Sequence, residues 1–423
     1  MREMKYSGNP SIGDVPSHWD ISRIKTLLSL RSEKNSGDRE LLSVYLDRGV
    51  ISYNDSTGMQ VHKPSADLSN YQNVHVGDFV LNNQQAWRGS VGVSKYDGII
   101  SPAYFVYDMS EKCYPLYMNF LLRDGSMVQQ YETSSRGVGT IQRNLYAMWF
   151  YDSLVALPPM EEQIAIATYL DAKCTEIDAL IADVQAQIDV LEQYKRSVIT
   201  ETVTKGLNPD AEMKDSGIEW VGMIPIHWPV HPVYTYFGER KNKNRFGAED
   251  NLLSLSYGRV IRKDINTSDG LLPESFNTYN IVEAGDIIIR PTDLQNDKRS
   301  LRTGLVKEHG ISTSAYIDLC PIKKVDSRYF HFLLHAYDVM KVFYNMGNGV
   351  RQGLNYSEFS RLMVFEPQYE EQVAIADFLD TKVAEIDGII DQKKEQLEVL
   401  DSYKKSLIYE YVTGKKEVPN VSI

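Results

Sequence analysis

Apolar residues recur at intervals of three and four over two long stretches of the chain. In the first stretch they are Ala167, Leu170, Cys174, Ile177, Ile181, Val184, Ile188, Leu191 and Val198. In the second they are Ala376, Leu379, Val383, Ile386, Ile390, Leu397, Leu400 and Leu407, with Lys393 at one seam position. This spacing places an apolar stripe along an amphipathic helix, and a stripe of this length needs a partner. We therefore predict two long helices that pair with each other as an antiparallel coiled coil.

The ends of both helices are also marked. Proline followed by two glutamates opens each of them, at 158–162 and at 367–371. Proline suits the first helical turn because it has no amide hydrogen to leave unbonded, and carboxylates favour the N-terminal dipole. Gly206 and Gly414 are the predicted ends. From Met160 to Val203 the first helix would extend roughly 66 Å, at about 1.5 Å per residue.

The two helices belong to a tandem duplication of the whole chain. At an offset of 209 residues, positions 161–204 match positions 370–413 at 23 of 44 places. The same offset pairs His18-Trp19 with His227-Trp228. Between these anchors the similarity is weaker, so each half consists of a variable part followed by a well-matched helix. Such a duplication predicts two similar halves related by an approximate two-fold axis.

The variable parts mix short strands with short helices. The apolar runs predict strands at 79–81, 91–93, 104–107, 287–289 and 305–306, and helices at 117–128 and 329–344. The predicted fold class is α+β, with two mixed α/β domains separated by the two long antiparallel helices. The predicted limits are 1–155 for the first variable domain, 156–205 for the central helix, 206–368 for the second variable domain with a linker at 206–225, and 369–423 for the C-terminal helix and tail.

The net charge of −12 is unevenly distributed. The two helix segments, 156–208 and 369–423, each carry −5, whereas the variable segments 1–155 and 209–368 each carry −1. Each variable domain can therefore present a basic face, which permits binding to DNA. Three widely separated cysteines indicate a reducing compartment. Because neither a long apolar run nor a signal peptide is visible, we expect a cytoplasmic protein without a membrane span.

No catalytic or metal-binding constellation is recognisable. Pro158-Pro159 lacks the polar neighbour that an amino-methyltransferase uses to hold a base, and the pair fits the start of a helix. The carboxylates of segment 209–214 superficially suggest a nuclease motif, but they crowd a linker instead of neighbouring strands. Segment 413–416 lacks the first glycine and the hydroxyl of a phosphate-binding loop. The repeated His-Trp pairs predict a packed structural corner.

Two polar clusters occur in each half, at corresponding places. Arginine, lysine, asparagine and glutamine read base edges, and hydroxyl groups favour the DNA backbone. In the first half the candidate DNA-binding residues are Asn82, Asn83, Gln84, Gln85 and Arg88, then Thr140, Gln142, Arg143 and Asn144. In the second half they are Arg290, Thr292, Gln295, Asn296, Lys298 and Arg299, then Asn348, Arg351, Gln352 and Asn355. A solvated loop is the alternative for any single cluster, whereas the doubled arrangement favours recognition.

The doubled motifs resemble those of the specificity subunit of type I restriction–modification systems, over essentially the full length. They are the Ser-Gly…Gly…Pro…His-Trp sets that begin at Ser7 and Ser216, the Glu-Glu-Gln set that opens each helix, and the Gly…Gln…Leu segments that begin at Gly139 and Gly349. The resemblance implies two target recognition domains, each reading one part of an asymmetric, two-part site in double-stranded DNA. It also implies that the helices space the two parts and that the chain has no catalytic activity of its own.

The resemblance further implies partners. These are two methyltransferase subunits, and restriction subunits that translocate and cleave DNA. S-adenosylmethionine, ATP and Mg would be bound by those partners, and no cofactor by this chain. Two alternatives remain open: a fused DNA methyltransferase or nuclease with an unrecognised catalytic motif, and a coiled-coil scaffold that binds only protein.

Inserting one helical turn before Leu191 is expected to change the unread gap of the DNA site and to leave both half-sites intact, because the helices act as the spacer. Mapping methylated bases in cells that carry the variant and its methyltransferase would reveal the new gap. An altered half-site sequence would contradict the spacer role.

Overall fold

A computed structural model describes residues 2–35, 37–56, 64–65, 67–138, 142–266, 275–292, 301–346 and 353–419. The helices are α1 Pro115–Arg123, α2 Gly125–Thr133, α3 Ala147–Tyr151, α4 Met160–Lys205, α5 Ser327–Val339, α6 Tyr356–Phe359 and α7 Tyr369–Val412. The strands before α4 are β1 Met4–Tyr6, β2 Asp14–Pro16, β3 Asp20–Arg23, β4 Leu28–Arg31, β5 Leu42–Tyr45, β6 Gly49–Ser52, β7 Gln72–Val74, β8 Phe79–Asn82, β9 Val91–Val93, β10 Gly98–Ile100, β11 Tyr104–Met109, β12 Ser135–Val138, β13 Gln142–Leu145 and β14 Leu154–Leu157. Those after it are β15 Met213–Asp215, β16 Met223–Pro225, β17 Val230–Pro232, β18 Phe237–Glu239, β19 Leu253–Ser256, β20 Arg259–Arg262, β21 Asn280–Val282, β22 Ile287–Ile289, β23 Thr303–Leu305, β24 Gly310–Ser312, β25 Ile317–Pro321 and β26 Met363–Phe365.

The chain forms two compact units. The first unit contains Met1–Gln185 and Glu395–Ile423, and the second contains Ala186–Lys394. Each unit therefore combines one variable region with a part of α4 and a part of α7. The four sequence segments predicted above cut the chain differently, because a helix that is continuous in sequence contributes its two ends to different cores. Their limits remain predictions.

Apart from the β12-β13 hairpin of the first unit, the described strands of the two units share one topology. The first has a four-stranded antiparallel sheet in the order β4-β11-β8-β9, and the second has its counterpart in the order β18-β25-β22-β23. The first also has the antiparallel pairs β1-β2, β3-β14, β5-β6, β7-β10 and β12-β13; the second has β15-β16, β17-β26, β19-β20 and β21-β24. The tandem duplication read from the sequence is therefore a duplication of the fold.

Within each unit, the two long helices run antiparallel. In the first, the rings of Tyr169 and Tyr411 lie 4.8 Å apart, and Lys404 Nζ lies 2.6 Å from Asp178 Oδ1. Residues with higher numbers in α4 therefore contact residues with lower numbers in α7, which is the antiparallel arrangement. In the second unit Lys195 Nζ lies 2.6 Å from Asp387 Oδ1. The offset of 209 relates Asp178 to Asp387 and Lys195 to Lys404, so one cross-helix ion pair occurs twice.

The predicted stripes supply the helical part of each core. Ala167, Leu170 and Ile177 are buried in the first unit together with Leu407. Ala376 and Leu379 are buried in the second, and Val383 packs against that core. Aromatic rings from the four-stranded sheet and from α3 complete the first core, with the rings of Phe79 and Tyr107 6.1 Å apart and those of Tyr107 and Phe150 5.7 Å apart. The antiparallel helix pair predicted from periodicity is confirmed in both units.

A buried tryptophan fixes the start of each long helix. Trp19 Nε1 donates to Glu162 Oε2 at 3.1 Å, and the His18 ring nitrogen lies 2.9 Å from the same oxygen. Trp228 and His227 make the equivalent contacts to Glu371, at 3.0 Å each. Both tryptophans are fully buried. The His-Trp pairs are therefore the packed corners that the sequence predicts, and they explain the second glutamate of each Glu-Glu-Gln set.

The glutamines of the same sets bind backbone. Gln163 accepts the amide hydrogen of Tyr114 at 2.8 Å and donates to the carbonyl of Lys112 at 2.8 Å. Gln372 accepts from the amide of Asp326 at 2.9 Å and donates to the carbonyl of Pro367 at 2.9 Å. An amide side chain can satisfy a donor and an acceptor at once, which a buried loop requires.

Tyrosine and glycine complete the ends of the long helices. Tyr117 OH donates to the carbonyl of Val412 at 3.2 Å, and Tyr329 OH donates to that of Val203 at 3.3 Å. Each carbonyl belongs to a last helical turn, where no intrahelical donor is available. The predicted end glycines follow, with φ of +74° at Gly206 and +70° at Gly414. That left-handed conformation is the usual helix stop.

The structure corrects three local predictions. The helix predicted at 117–128 is two helices, α1 and α2, because the Asp124 carboxylate accepts the Ser126 amide and caps a new start. The helix predicted at 329–344 ends at Val339, and Lys341 takes a positive φ of 62° before a 3-10 turn. The linker at 206–225 contains the paired strands β15 and β16.

Replacing Gly414 with alanine is expected to lower the free energy of unfolding by about 1–3 kcal/mol. The added Cβ would lie 3.0 Å from Cη2 of the buried Trp19, would overlap the ring of Pro16, and would be strained at φ +70°. Equilibrium unfolding followed by circular dichroism measures the effect. Gly388→Ala, in helix α7, is the matched control, because a Cβ added there meets no atom within 4 Å. This variant should raise the free energy of unfolding by about 0.5–1 kcal/mol. Equal effects of the two changes would contradict the packing argument.

Candidate nucleic-acid interface

The two predicted polar clusters of the first half lie side by side. Asn82 ends β8 and residues 83–88 follow it, whereas residues 143–144 lie in β13, which pairs with β12 as a hairpin. Asn83 joins them, because its side-chain Oδ1 and its backbone carbonyl both accept the amide hydrogen of Leu145, at 3.0 and 3.1 Å. Sixty-two positions separate these residues along the chain. The loop after β8 and the β12-β13 hairpin therefore form one surface.

Trp87 lies at the centre of this surface. The guanidinium of Arg143 lies 4.7 Å from the centre of the Trp87 ring, and that of Arg88 lies 5.2 Å from it. Arg143 also contacts Glu132 at 3.1 Å. Contact between a guanidinium and an indole face orients the cation and leaves its outer hydrogen-bond donors available.

The side chains of the first clusters divide into two groups. Gln84, Arg88 and Asn144 are exposed. Asn82, Asn83, Gln85 and Arg143 are half-buried, and Asn82 Oδ1 accepts the Gln84 amide at 3.1 Å. Asn82 and Asn83 therefore shape the loop, whereas the exposed group and the partly free guanidinium of Arg143 have donors and acceptors to offer to a ligand.

The described parts of the second-half clusters also meet. The amide of Leu354 donates to the carbonyl of Pro291 at 3.0 Å. The buried Arg302 donates through Nη1 to the carbonyls of Arg290, at 3.2 Å, and Thr292. Arg290 and Thr292 are exposed. Asn355 caps α6 with its side chain, in a reciprocal box with Glu358. The two units thus bring the same pair of segments together, with different side chains.

Several of the predicted DNA-binding residues lie outside the part of the chain that the structure describes. They are Thr140, Gln295, Asn296, Lys298, Arg299, Asn348, Arg351 and Gln352, together with the side chain of Gln142. Their roles remain predictions from the sequence.

Sequence reasoning missed four residues beside the first clusters. Arg136 on β12 is exposed, and its guanidinium lies 4.3 Å from the centre of the Trp149 ring. Tyr146, Met148 and Trp149 have exposed fractions of 49, 74 and 41%. The available signal was the run of large apolar residues from 146 to 151, which is ordinarily a core pattern.

Strongly displaced pKa values occur inside the units, in the supporting structure. Burial, together with the Asp286 carboxylate, raises the pKa of Asp318 on β25 to about 8. Burial lowers the pKa of His331 on α5 to about 3. Within the described ranges no group of three or more His, Cys, Asp or Glu side chains could hold a metal ion. In that same part of the chain, no helix has the length and apolar character needed to span a membrane.

Comparison with known proteins gives a consistent picture. No protein-family model matches the chain. The chain is 24% identical over 433 residues to the specificity subunit of the MjaVIII type I restriction enzyme of Methanocaldococcus jannaschii, with 96% of this chain and 95% of that protein covered. A second protein of that organism, assigned as the MjaX type I restriction enzyme specificity subunit, is 24% identical over 437 residues, with 96% of each covered.

A solved structure shares the fold. It comes from work on complex assembly and conformational transition of the type I R-M system, and it matches with a TM-score of 0.70 at 13% identity. The match covers 95% of this chain and 99% of that one. The similarity thus includes both variable regions and both long helices.

Replacing Asn83 with alanine is expected to loosen the β12-β13 hairpin, because the Leu145 amide loses one of its two acceptors. The hairpin amides should exchange with deuterium faster, with a stability loss of about 1 kcal/mol. Asn144→Ala, an exposed change on the same hairpin, is the control and should leave exchange unchanged. Unaltered exchange in the Asn83 variant would show that the loop and the hairpin are independent.

Proposed function

We propose that this chain, which is similar over nearly its whole length to specificity subunits of type I restriction enzymes, reads an asymmetric, two-part site in double-stranded DNA. Each compact unit would recognise one part. The chain would select the sequence, while methylation, translocation and cleavage are carried out by other subunits of the complex, which we expect to act in the cytoplasm.

The convergence of the same loop pair in both units carries this proposal. The loop after β8 meets β13 in the first unit, and the segment after β22 meets residues 353–355 in the second. Polar and cationic side chains are exposed on both surfaces, including Arg88 and Arg290. Arginine is suited to paired hydrogen bonds with guanine and to phosphate contacts. Because the side chains differ between the units, the two half-sites should differ in sequence.

The long helices offer a surface for protein partners. In the first unit Val399 and Tyr403 of α7 and Leu180 of α4 have exposed fractions of 67, 55 and 53%. In the second unit their repeat counterparts are exposed as well. Val190 and Tyr194 of α4 have exposed fractions of 63 and 49%, and Ile389 of α7 has 43%. Exposed apolar sets at the same repeat positions suit two copies of one partner. We propose that these partners are two methyltransferase subunits.

Cofactors follow from this division of labour. S-adenosylmethionine would be bound by the methyltransferase subunits, and ATP and Mg by restriction subunits. This chain itself would bind DNA and protein partners, and no cofactor.

Co-expression with a methyltransferase subunit of a type I system from the same organism tests the proposal. Mapping of methylated bases should show one motif of two parts with a fixed gap. A complex with no sequence preference would favour the protein-only scaffold. Methylation by this chain alone would favour a fused methyltransferase.

Arginine substitutions should separate the two half-sites. Arg143→Ala is expected to weaken discrimination in the first half-site by about 1–3 kcal/mol per contacted base pair, and Arg290→Ala to do so in the second. Each variant is the control for the other, since the residues lie in different units. Binding to duplexes with substitutions in one half-site at a time provides the measurement. If either variant altered both half-sites, or neither, these arginines would not be base readers.

A further inference from the structure

Three apolar side chains and one arginine form an exposed surface beside the predicted DNA-reading loops of the first unit. They are Arg136, Tyr146, Met148 and Trp149, which we call the aromatic ridge. Met148 is the most exposed of them, at 74%. Large apolar side chains are normally buried, so a group of them in solvent indicates a contact surface.

Contacts within the protein hold the ridge together. The Tyr146 and Trp149 rings are stacked, with centres 5.2 Å apart and planes at 29°. The Arg136 guanidinium adds a further planar group, 4.3 Å from the centre of the Trp149 ring. The amide of Tyr146 donates to the carbonyl of Ser134 at 2.9 Å, which holds the ridge against the end of α2. A preorganised surface loses little entropy on binding.

The fold does not require these apolar side chains. At the offset of 209, the second unit has Asn355, Ser357 and Glu358 where the first has Tyr146, Met148 and Trp149. The buried neighbours are the same in both units: Leu145 matches Leu354, and the fully buried Phe150 matches Phe359.

In the second unit, Asn355 and Glu358 use their polar groups to cap the helix. The first unit has no side-chain cap at the equivalent Tyr146. The first unit thus has exposed aromatic rings where a stabilising cap would fit. Because the rings do not stabilise the helix, we infer that they contact a ligand.

The arginines on and beside the ridge indicate that its ligand is DNA. Arg136 lies in the ridge, and Arg143 and Arg88 flank Trp87 on the adjoining surface. Glu132 is the acidic neighbour that contacts Arg143. Cationic guanidinium groups interleaved with flat aromatic rings suit stacked bases with phosphates on either side. Apolar side chains that enter DNA do so between base pairs, and they separate the pairs by partial unstacking.

We propose that the aromatic ridge enters the first half-site as a wedge between two adjacent base pairs. The first unit then recognises its half-site partly through stacking and the ease of deforming one base step, whereas the second unit uses polar groups at the same place. Flexible pyrimidine–purine steps unstack most easily, so one such step should lie in the first half-site. This inference rests on the proposed function, because it needs each unit to bind DNA.

The test transplants the side chains of the second unit into the first. The triple variant Tyr146→Asn, Met148→Ser, Trp149→Glu gives α3 the helix cap that the second unit has at α6, so it should fold. Tyr96→Asn, an exposed aromatic position between β9 and β10, is the matched control. Each full chain is assembled with the methyltransferase, and binding is measured to duplexes that carry 2-aminopurine at successive steps of either half-site. The fluorescence of this base rises when it is unstacked.

The wild-type complex and the Tyr96 variant should raise the fluorescence at one step of the first half-site. The triple variant should lose that signal and bind the full site about tenfold more weakly, while its discrimination in the second half-site is retained. Trp149→Phe, which keeps a ring, should preserve most of the signal. Met148→Ser alone changes only an exposed side chain and should lower the signal without altering thermal stability.

Several outcomes would overturn the wedge. The triple variant could bind and raise fluorescence as the wild type does, could lose both half-sites equally, or could fail to assemble with the methyltransferase, which would make the ridge a protein contact. Failure of the proposed function is distinguishable, because the wild-type complex would then show no sequence preference at either half-site.

Discussion

A long apolar stripe cannot remain in water, and the rest of the structure depends on this constraint. Helices α4 and α7 have 46 and 44 residues, far more than one small domain can cover. Each compact unit therefore packs one part of α4 against one part of α7, and it closes the core with its own sheets. Neither half of the duplicated sequence supplies a whole core by itself.

The most similar repeated motifs lie where the ends of α4 and α7 meet the variable regions, which we call the junction. The Glu162 and Glu371 carboxylates accept the indole N–H of a buried tryptophan, while the following glutamines satisfy loop backbone on both sides. Tyr117 and Tyr329 bond the carbonyls of the last helical turns. Buried polar groups have strict partners, because each unmade hydrogen bond costs about 1–3 kcal/mol. This explains why the repeats agree best at residues that contact no proposed ligand.

A constant junction leaves the surfaces free to differ. Leu145 and Leu354 are buried alike, and so are Phe150 and Phe359, yet the second unit has Asn355, Ser357 and Glu358 where the first has Tyr146, Met148 and Trp149. The scaffold tolerates both sets because these positions are exposed or only half-buried. Two units with different surface chemistry can therefore share one architecture, as the proposed asymmetric DNA site would require. The acidic charge belongs mainly to the helix segments and leaves both variable segments nearly neutral.

The sequence by itself determined the local and periodic features. The helix pair, its glycine ends, the duplication and strands such as β8, β9 and β22 were all predictable, because periodicity and the positive φ of glycine are properties of short segments. Three-residue strands such as β15 are too short to show an alternation, and the break at Asp124 depends on one side-chain cap. Only the tertiary structure decided that Asn83 reaches Leu145, that Asn355 serves a helix cap, and that Tyr146 and Trp149 lie in solvent. Contact across sixty-two positions, and the exposure of a ring that composition alone would bury, arise from packing between distant segments, which no local pattern records.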